Sequence, residues 1–248
     1  HIPFCKTKCP YCDFYSMRSD ESDRDMYTIS LVESMEIWSD KLERKADTLY
    51  FGGGTPSILG GKNIAMLSRR AKNLFGVNGE ITVECNPSAV EGDFFKTVAD
   101  AGVNRISLGI QSVVENERKK LGRFSDRKLI EKRIEQCRTA GINNISLDVM
   151  LGVQDQTMKS LSETLDFCIN SGATHISAYI LKIEEGTQYY RKKDSLNLPD
   201  EDTVADMYLA MSEQLRANGF EHYEISNFAR PGFEGKHNLK YWNCEEYL

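Results

Sequence analysis

The sequence has no apolar run long enough to cross a bilayer, which takes about 20 residues. It has no lysine and arginine run beyond short pairs such as Arg69-Arg70 and Lys192-Lys193. Its 37 acidic residues outnumber 31 basic ones, for a formal net charge of -6. A basic face for nucleic acid is therefore not expected. There is no internal repeat and no low-complexity segment. No signal peptide opens the chain: it has no basic leader, apolar stretch or small-residue cleavage site. An initiating methionine is also missing. His1 runs straight into a cysteine motif, and Leu248 ends an aromatic, acidic stretch. We read the sequence as part of a longer chain, with a first strand expected before His1 and further residues after Leu248.

What is present suits an ordinary globular protein: 40% hydrophobic and 27% charged residues. A length of 248 residues allows one large α/β barrel or two small domains. Seven cysteines is an odd count. Cys5, Cys9 and Cys12 crowd together, while Cys85, Cys137, Cys168 and Cys244 are scattered. A disulfide framework would spread them more evenly. Metal binding in a reducing cytoplasm fits better. Cys85, Cys137 and Cys168 fall in or beside expected core elements, where free cysteine acts as a small apolar residue.

Strands alternate with helices along most of the chain. Residues 48–51, 80–85, 105–110, 144–150 and 175–180 read as strands. Residues 26–41, 64–75, 92–101, 127–140 and 161–170 read as helices. In the first of these Met26, Ile29, Val32, Met35 and Trp38 fall close to a helical period. Several helices end at a glycine (Gly102, Gly141, Gly172), which tolerates the left-handed conformation that closes a helix. This alternation predicts parallel βα units in an α/β fold. Five strands plus one ahead of His1 give a partial (β/α)6 barrel over residues 1–198. Residues 199–248 read as the start of a C-terminal α/β region: a helix over 200–218, then an irregular tail. In such barrels functional groups gather where strands end. The cysteine loop, Gly52–Gly54, Glu84, Gln111 and Asp148 follow or end strands and are expected on one rim.

Residues 1–16 read HIPFCKTKCPYCDFYS, a C-x3-C-x2-C spacing. Three thiolates on one short loop can hold three irons of a cubane cluster. The usual cluster takes four cysteines, so the fourth iron stays open, as a metal centre needs in order to bind substrate. S-adenosylmethionine (SAM) suits that position, because its amino and carboxylate groups can chelate iron. One electron would then cleave the sulfonium and yield a 5′-deoxyadenosyl radical. A zinc site closed by Cys85 or a distant histidine is the alternative.

C-x3-C-x2-C with Tyr11 before the third cysteine resembles the radical SAM superfamily. The wider text is similar to the family of oxygen-independent coproporphyrinogen III oxidase and its haem chaperone relatives. The likeness runs through YFGGGTPS at 50–57, ITVECNPS at 81–88, VNRISLGIQS at 103–112, ISLDVMLG at 145–152, HISAYILKIEEGT at 175–187 and YEISNFARPGFE at 223–234. It implies a [4Fe–4S] cluster on Cys5, Cys9 and Cys12. It also implies a SAM site built from Tyr11, Gly52, Gly53, Gly54, Thr55, Glu84, Gln111, Arg123 and Asp148. The glycines would lie against the methionine part and Asp148 at the ribose. From the residues alone, the glycines equally make a tight turn, Glu84 or Asp148 a helix cap or salt bridge, and Arg123 a surface ion pair. One stretch departs from the family: Val153-Gln154-Asp155 precedes Gln156-Thr157 where relatives have Leu-Pro.

Two functions stand open. One is oxidative decarboxylation of coproporphyrinogen III propionates; the other is binding haem and delivering it to acceptor proteins. Oxidases of the family carry another cysteine two positions beyond the third, where this chain has Phe14. His237-Asn238-Leu239-Lys240-Tyr241-Trp242 matches the HNxxYW motif of the chaperone branch. Both features resemble the chaperone branch and make His237, Tyr241 and Trp242 haem-binding candidates. From the residues alone, a packed segment with a hydrogen-bonded histidine remains the alternative. A radical SAM methylase or another oxidoreductase is a third reading. The chaperone resemblance further implies respiratory haem acceptors, an electron donor, transient contact with the inner membrane face and a homodimer.

Overall fold

The computed structural model describes residues 1–42 and 45–248. After the cysteine loop comes α1 (Glu21–Ser39), opened by a capping box between Asp20 and Asp23. Strand β1 (Leu49–Phe51) leads through Thr55 into α2 (Gly60–Phe75). There follow β2 (Ile81–Cys85), α3 (Phe94–Ala99), β3 (Arg105–Gln111), α4 (Glu115–Lys120), α5 (Arg127–Thr139) and β4 (Asn144–Leu151). Then come α6 (Met158–Asn170), β5 (His175–Ile180), the short α7 (Gln188–Arg191) and α8 (Glu201–Ala217). The chain finishes with β6 (Glu221–Glu224), β7 (Asn227–Ala229) and α9 (Lys236–Trp242).

The five expected strands pair in parallel in chain order. Gly102, Gly141 and Gly172 all take positive φ where α3, α5 and α6 give way to the next strand. The sheet then continues through β7, antiparallel to β5, and β6, antiparallel to β7, in the order β1-β2-β3-β4-β5-β7-β6. The tail expected to be irregular thus holds a hairpin and a helix, and the hairpin extends the main sheet across residue 198.

The two faces of the parallel sheet differ in kind. Phe51, Ile81, Val83, Cys85, Ile106, Leu108, Ile145, Leu147, Val149 and Ile176 are buried in the apolar cluster shared with the helices. That cluster is where burial of apolar area stabilises the fold, at roughly 25 cal/mol per Å2. The alternate residues face the other way and are polar: Tyr50, Thr82, Glu84, Arg105, Ser107, Ser146, Asp148, His175 and Ser177. A (β/α)8 barrel fills its interior with branched apolar side chains. Here the inner face is a hydrogen-bonding lumen.

The apolar row expected on the first helix is only partly buried. Val32 and Met35, with Tyr27 and Leu31, pack on the core. Met26, Ile29 and Trp38 are exposed. A helix seated mainly on α2, with Tyr27 against Phe4, has room to bury one narrow stripe.

Candidate functional site

The cysteine loop is tied down at both ends. Ile2 N–H donates to Gly52 O and Gly54 N–H to Ile2 O, each at 2.8 Å, so Ile2 runs parallel beside Gly53. Cys5 N–H donates to Met17 O at 2.9 Å, and Met17 N–H to Pro3 O at 2.8 Å. Farther along, Cys12 N–H donates to Cys9 O at 3.2 Å, and Tyr189 N–H of α7 to Pro10 O at 2.9 Å. Cys5, Cys9 and Cys12 are free and half-buried. Among the described residues no three cysteine, histidine or acidic side chains converge on one metal ion. Three thiolates that each take a separate iron of a cubane do not need to. Burial pushes the Cys12 thiol up, the nearby Cys9 adding to this and a backbone donor at Phe14 opposing it.

The three glycines each make room for a neighbour. A Cβ on Gly54 would come within 2.7 Å of Phe4 O and 3.0 Å of the Cys5 sulfur. One on Gly52 would meet Tyr50 at 2.8 Å and Glu84 Oε1 at 3.3 Å. Gly53 has φ +122°, and a Cβ there would strike His1 and Ile2 N. The glycines therefore let the cysteine loop lie against β1, and Thr55 Oγ1 sits 3.4 Å from the Cys5 sulfur.

Inside the rim, Arg123 Nη2 donates to the Tyr11 hydroxyl at 2.9 Å. Burial drives the Tyr11 pKa up to about 12, so it stays protonated. Burial alone would lower the Arg123 pKa; the Tyr11 oxygen and the Cys9 sulfur beside it outweigh that and raise it. The buried Nε of Arg123 has no hydrogen-bond partner. Gln111 ends β3 with φ +64°, a conformation that costs a non-glycine residue about 1–3 kcal/mol. A Cβ on Gly109 would come 3.1 Å from Gln111 Nε2 and 3.6 Å from Arg123 Nη1, so this glycine admits both side chains. Gly109 in turn lies in register with Asp148.

Two carboxylates face this space. Glu84 Oε1 accepts from the Tyr50 hydroxyl at 2.7 Å. Burial, with Asp148 opposite, raises its pKa to about 7. Asp148 Oδ1 accepts from Ser107 Oγ at 2.7 Å and faces Ser146 Oγ at 3.4 Å. Burial raises its pKa too, against the hydroxyls and the arginines Arg105 and Arg123. Asp148 does not end its strand as expected: β4 runs three residues further to Leu151, because Val149 and Leu151 continue the apolar face.

The divergent loop after β4 is closed by its own glutamine. Gln156 accepts from Gly152 N–H at 2.7 Å and donates to Met150 O at 3.0 Å. Asp155, at φ +60°, pairs with Lys120 and accepts from Asn197.

The structure does not bring His237, Tyr241 and Trp242 to this rim. Helix α9 sits at the opposite, amino-terminal ends of the strands. His237 Nδ1 lies 2.8 Å from Thr48 Oγ1, just ahead of β1. Nε2 lies 3.2 Å from the Tyr241 hydroxyl, and the ring stacks on Tyr50 at 5.1 Å. Burial holds its pKa below the ordinary value, so the imidazole is neutral. Glu80, just ahead of β2, accepts the amides of Lys236 at 3.1 Å and His237 at 3.0 Å. Tyr241 and Trp242 are about half exposed.

The sequence reading missed Tyr50, Arg105, Ser107, Ser146, His175 and Ser177. A signal was there: a polar residue, isoleucine and serine recur at 105–107, 144–146 and 175–177. Period-2 alternation puts residues 105 and 107, and their counterparts, on one face.

A loop of three free cysteines thus lies over a polar lumen of parallel strands. The family model of the radical SAM superfamily matches residues 1–168, and the chain belongs to that superfamily. Within it, the chain is 39% identical to the heme chaperone HemW of Lactococcus lactis and 36% identical to that of Escherichia coli K12. Both alignments cover 100% of this chain, and 65% and 66% of the relatives' lengths. The fold matches the radical SAM coproporphyrinogen III oxidase HemN of Escherichia coli with a TM-score of 0.85 and 22% identity, over 98% of this chain and 57% of that one. Membership in the superfamily implies a [4Fe–4S] cluster and SAM. No helix of the described residues is long and apolar enough to cross a membrane.

Proposed function

We propose that this chain carries a [4Fe–4S] cluster on Cys5, Cys9 and Cys12, binds SAM in the lumen beneath it, and serves as a haem chaperone that binds haem and delivers it to acceptor proteins. The observation that carries this reading is the half-buried three-cysteine loop above a polar inner face that includes the unpartnered Nε of Arg123. The donor set fits: three thiols, a glycine cradle with no space for a Cβ, and an orphaned guanidinium nitrogen. When bound, the cluster and SAM together supply one-electron chemistry. The unpartnered Nε of Arg123 supports a role in taking a carboxylate in a forked pair. Glu84 and Asp148 accept hydrogen bonds from ammonium or ribose hydroxyl groups, Gln111 lines the same wall, and Gly52, Gly53, Gly54 and Thr55 flank the cysteines. Tyr11 orients Arg123 and shields the loop from water.

Two things support the chaperone over the oxidase. One is the likeness to proteins named heme chaperones. The other is Phe14, exposed where oxidases carry a further cysteine. Haem, haem-acceptor proteins of respiration, an electron donor, transient contact with the inner membrane face and a homodimer belong to this proposal, as does the division at residue 198. His237, Tyr241 and Trp242 are the haem candidates. For His237 to bind iron, Nε2 must give up Tyr241, its weaker partner.

The test is an anaerobic haem titration of the cluster-reconstituted protein beside His237→Ala, with coproporphyrinogen III turnover followed in the same samples. Saturable stoichiometric haem binding, no loss of propionate carboxyls and a changed Soret band in the variant are expected. SAM-dependent decarboxylation without haem binding would restore the oxidase.

A further inference from the structure

The polar groups of the lumen form a line from its base to its rim. Gly235, the residue before α9, donates its N–H to the Tyr223 hydroxyl at 3.1 Å. That hydroxyl lies 2.8 Å from His175 Nε2. His175 Nδ1 lies 2.8 Å from Ser146 Oγ, and Ser146 Oγ lies 3.4 Å from Asp148 Oδ1. His175 and Ser146 are fully buried, where an unpaired polar atom is costly.

The donors can be assigned from the two ends. An amide N–H only donates, so the Tyr223 oxygen accepts from Gly235 and its own proton is free for His175 Nε2. With Nε2 accepting, the imidazole carries its proton on Nδ1 and donates to Ser146. The serine proton then has two acceptors within reach, Asp148 Oδ1 at 3.4 Å and Ser177 Oγ at 3.3 Å; Ser177 itself hydrogen-bonds Asp148, so either route ends on the Asp148 carboxylate. Along either route the bonds point from Gly235 toward Asp148. Bonds in such a row polarise one another.

We infer that His175 is a positioning residue: with Tyr223 and Ser146 it carries a one-way hydrogen-bond chain from the segment that opens α9 to the Asp148 carboxylate. The chain, with Ser107 and Ser177, stabilises Asp148 in its charged form. It also ties the HNxxYW segment to the opposite end of the barrel. The same segment is gripped by Glu80 at the next two amides. The consequence for SAM rests on the assignment of Asp148 proposed above.

The charged and titratable groups around Asp148 are Glu84 and Cys85 from β2, Arg105 from β3, Arg123 from the turn after α4, Tyr50 from β1, Cys168 from α6 and Tyr179 from β5. The test leaves all of them in place. Tyr223→Phe and Ser146→Ala each remove one hydroxyl and leave the packing intact. The first readout is an infrared pH titration of the Asp148 carboxyl stretch in the cluster-reconstituted protein without SAM, assigned by its loss in Asp148→Asn. The second is SAM affinity by equilibrium dialysis. Ser146→Ala should raise the titration midpoint by about one pH unit and Tyr223→Phe by about half as much. SAM affinity should fall about tenfold and threefold in the same order. An unmoved midpoint in both variants would overturn the chain. A moved midpoint with unchanged SAM affinity keeps the chain and removes Asp148 from the SAM site.

Discussion

Glu84 shows how the lumen trades stability for a site. Its carboxyl is buried, hydrogen-bonded by Tyr50 and opposite another acid. Its pKa rises from an ordinary 4.5 to about 7. Between those values the native state holds a proton that the unfolded chain has already released. Stability therefore falls as pH climbs through this window. The loss is about 2–3 kcal/mol for a shift of this size, allowing for partial exposure. Urea midpoints of the cluster-loaded protein from about pH 5 to about pH 8 should decline more steeply than those of Glu84→Gln. Parallel profiles would mean that Glu84 titrates as an ordinary surface acid. Nothing in ITVEC marks this glutamate as unusual. Its partners, the Tyr50 hydroxyl and the like charge of Asp148, lie far off in sequence.

At the scale of elements, the five parallel strands and their helices were legible because each carries its own signal. Apolar alternation, a following polar residue and a closing glycine are local. The tail had no such signal. Glu221–Glu224 and Asn227–Ala229 are too short to show a period, and β7 forms because the edge of β5 accepts it. Helix α9 has seven residues and no side-chain cap of its own. Isolated helices of that length do not persist in water. Its first two amides are satisfied by Glu80, more than 150 residues away, and no local reading could find that pairing. Glu80 also faces buried Arg105 at 3.9 Å. Glu80→Ala would leave two amides and a guanidinium uncompensated, a loss of about 3–5 kcal/mol. Hydrogen exchange should then speed up selectively over residues 235–242. Uniform exchange with an unchanged urea midpoint would show that α9 is held by something else.

Across the whole molecule, the apolar core and the functional lumen lie on opposite faces of one sheet. The motifs marked the upper part of that lumen, from the cysteines to Asp148, because such residues stand out beside glycines and strand ends. They did not mark its wall, because serine, histidine and arginine within strands read as ordinary polar positions. A lumen of this kind should make the ligand-free protein less stable than its fold allows. Asp148 gives the direct test, since burial opposes its charge while the proposed ligand requires it. Asp148→Asn keeps the shape and removes the charge. Without SAM the variant should unfold at higher urea than the parent, by about 1 kcal/mol. With SAM at 100 times the parent Kd, the parent gains about 2.7 kcal/mol, while a variant binding tenfold more weakly gains about 1.4. The order of stability would then reverse or close on saturation. A variant less stable than the parent in both states would instead make Asp148 a structural carboxylate, held by Ser107 and the arginines for the sake of the barrel.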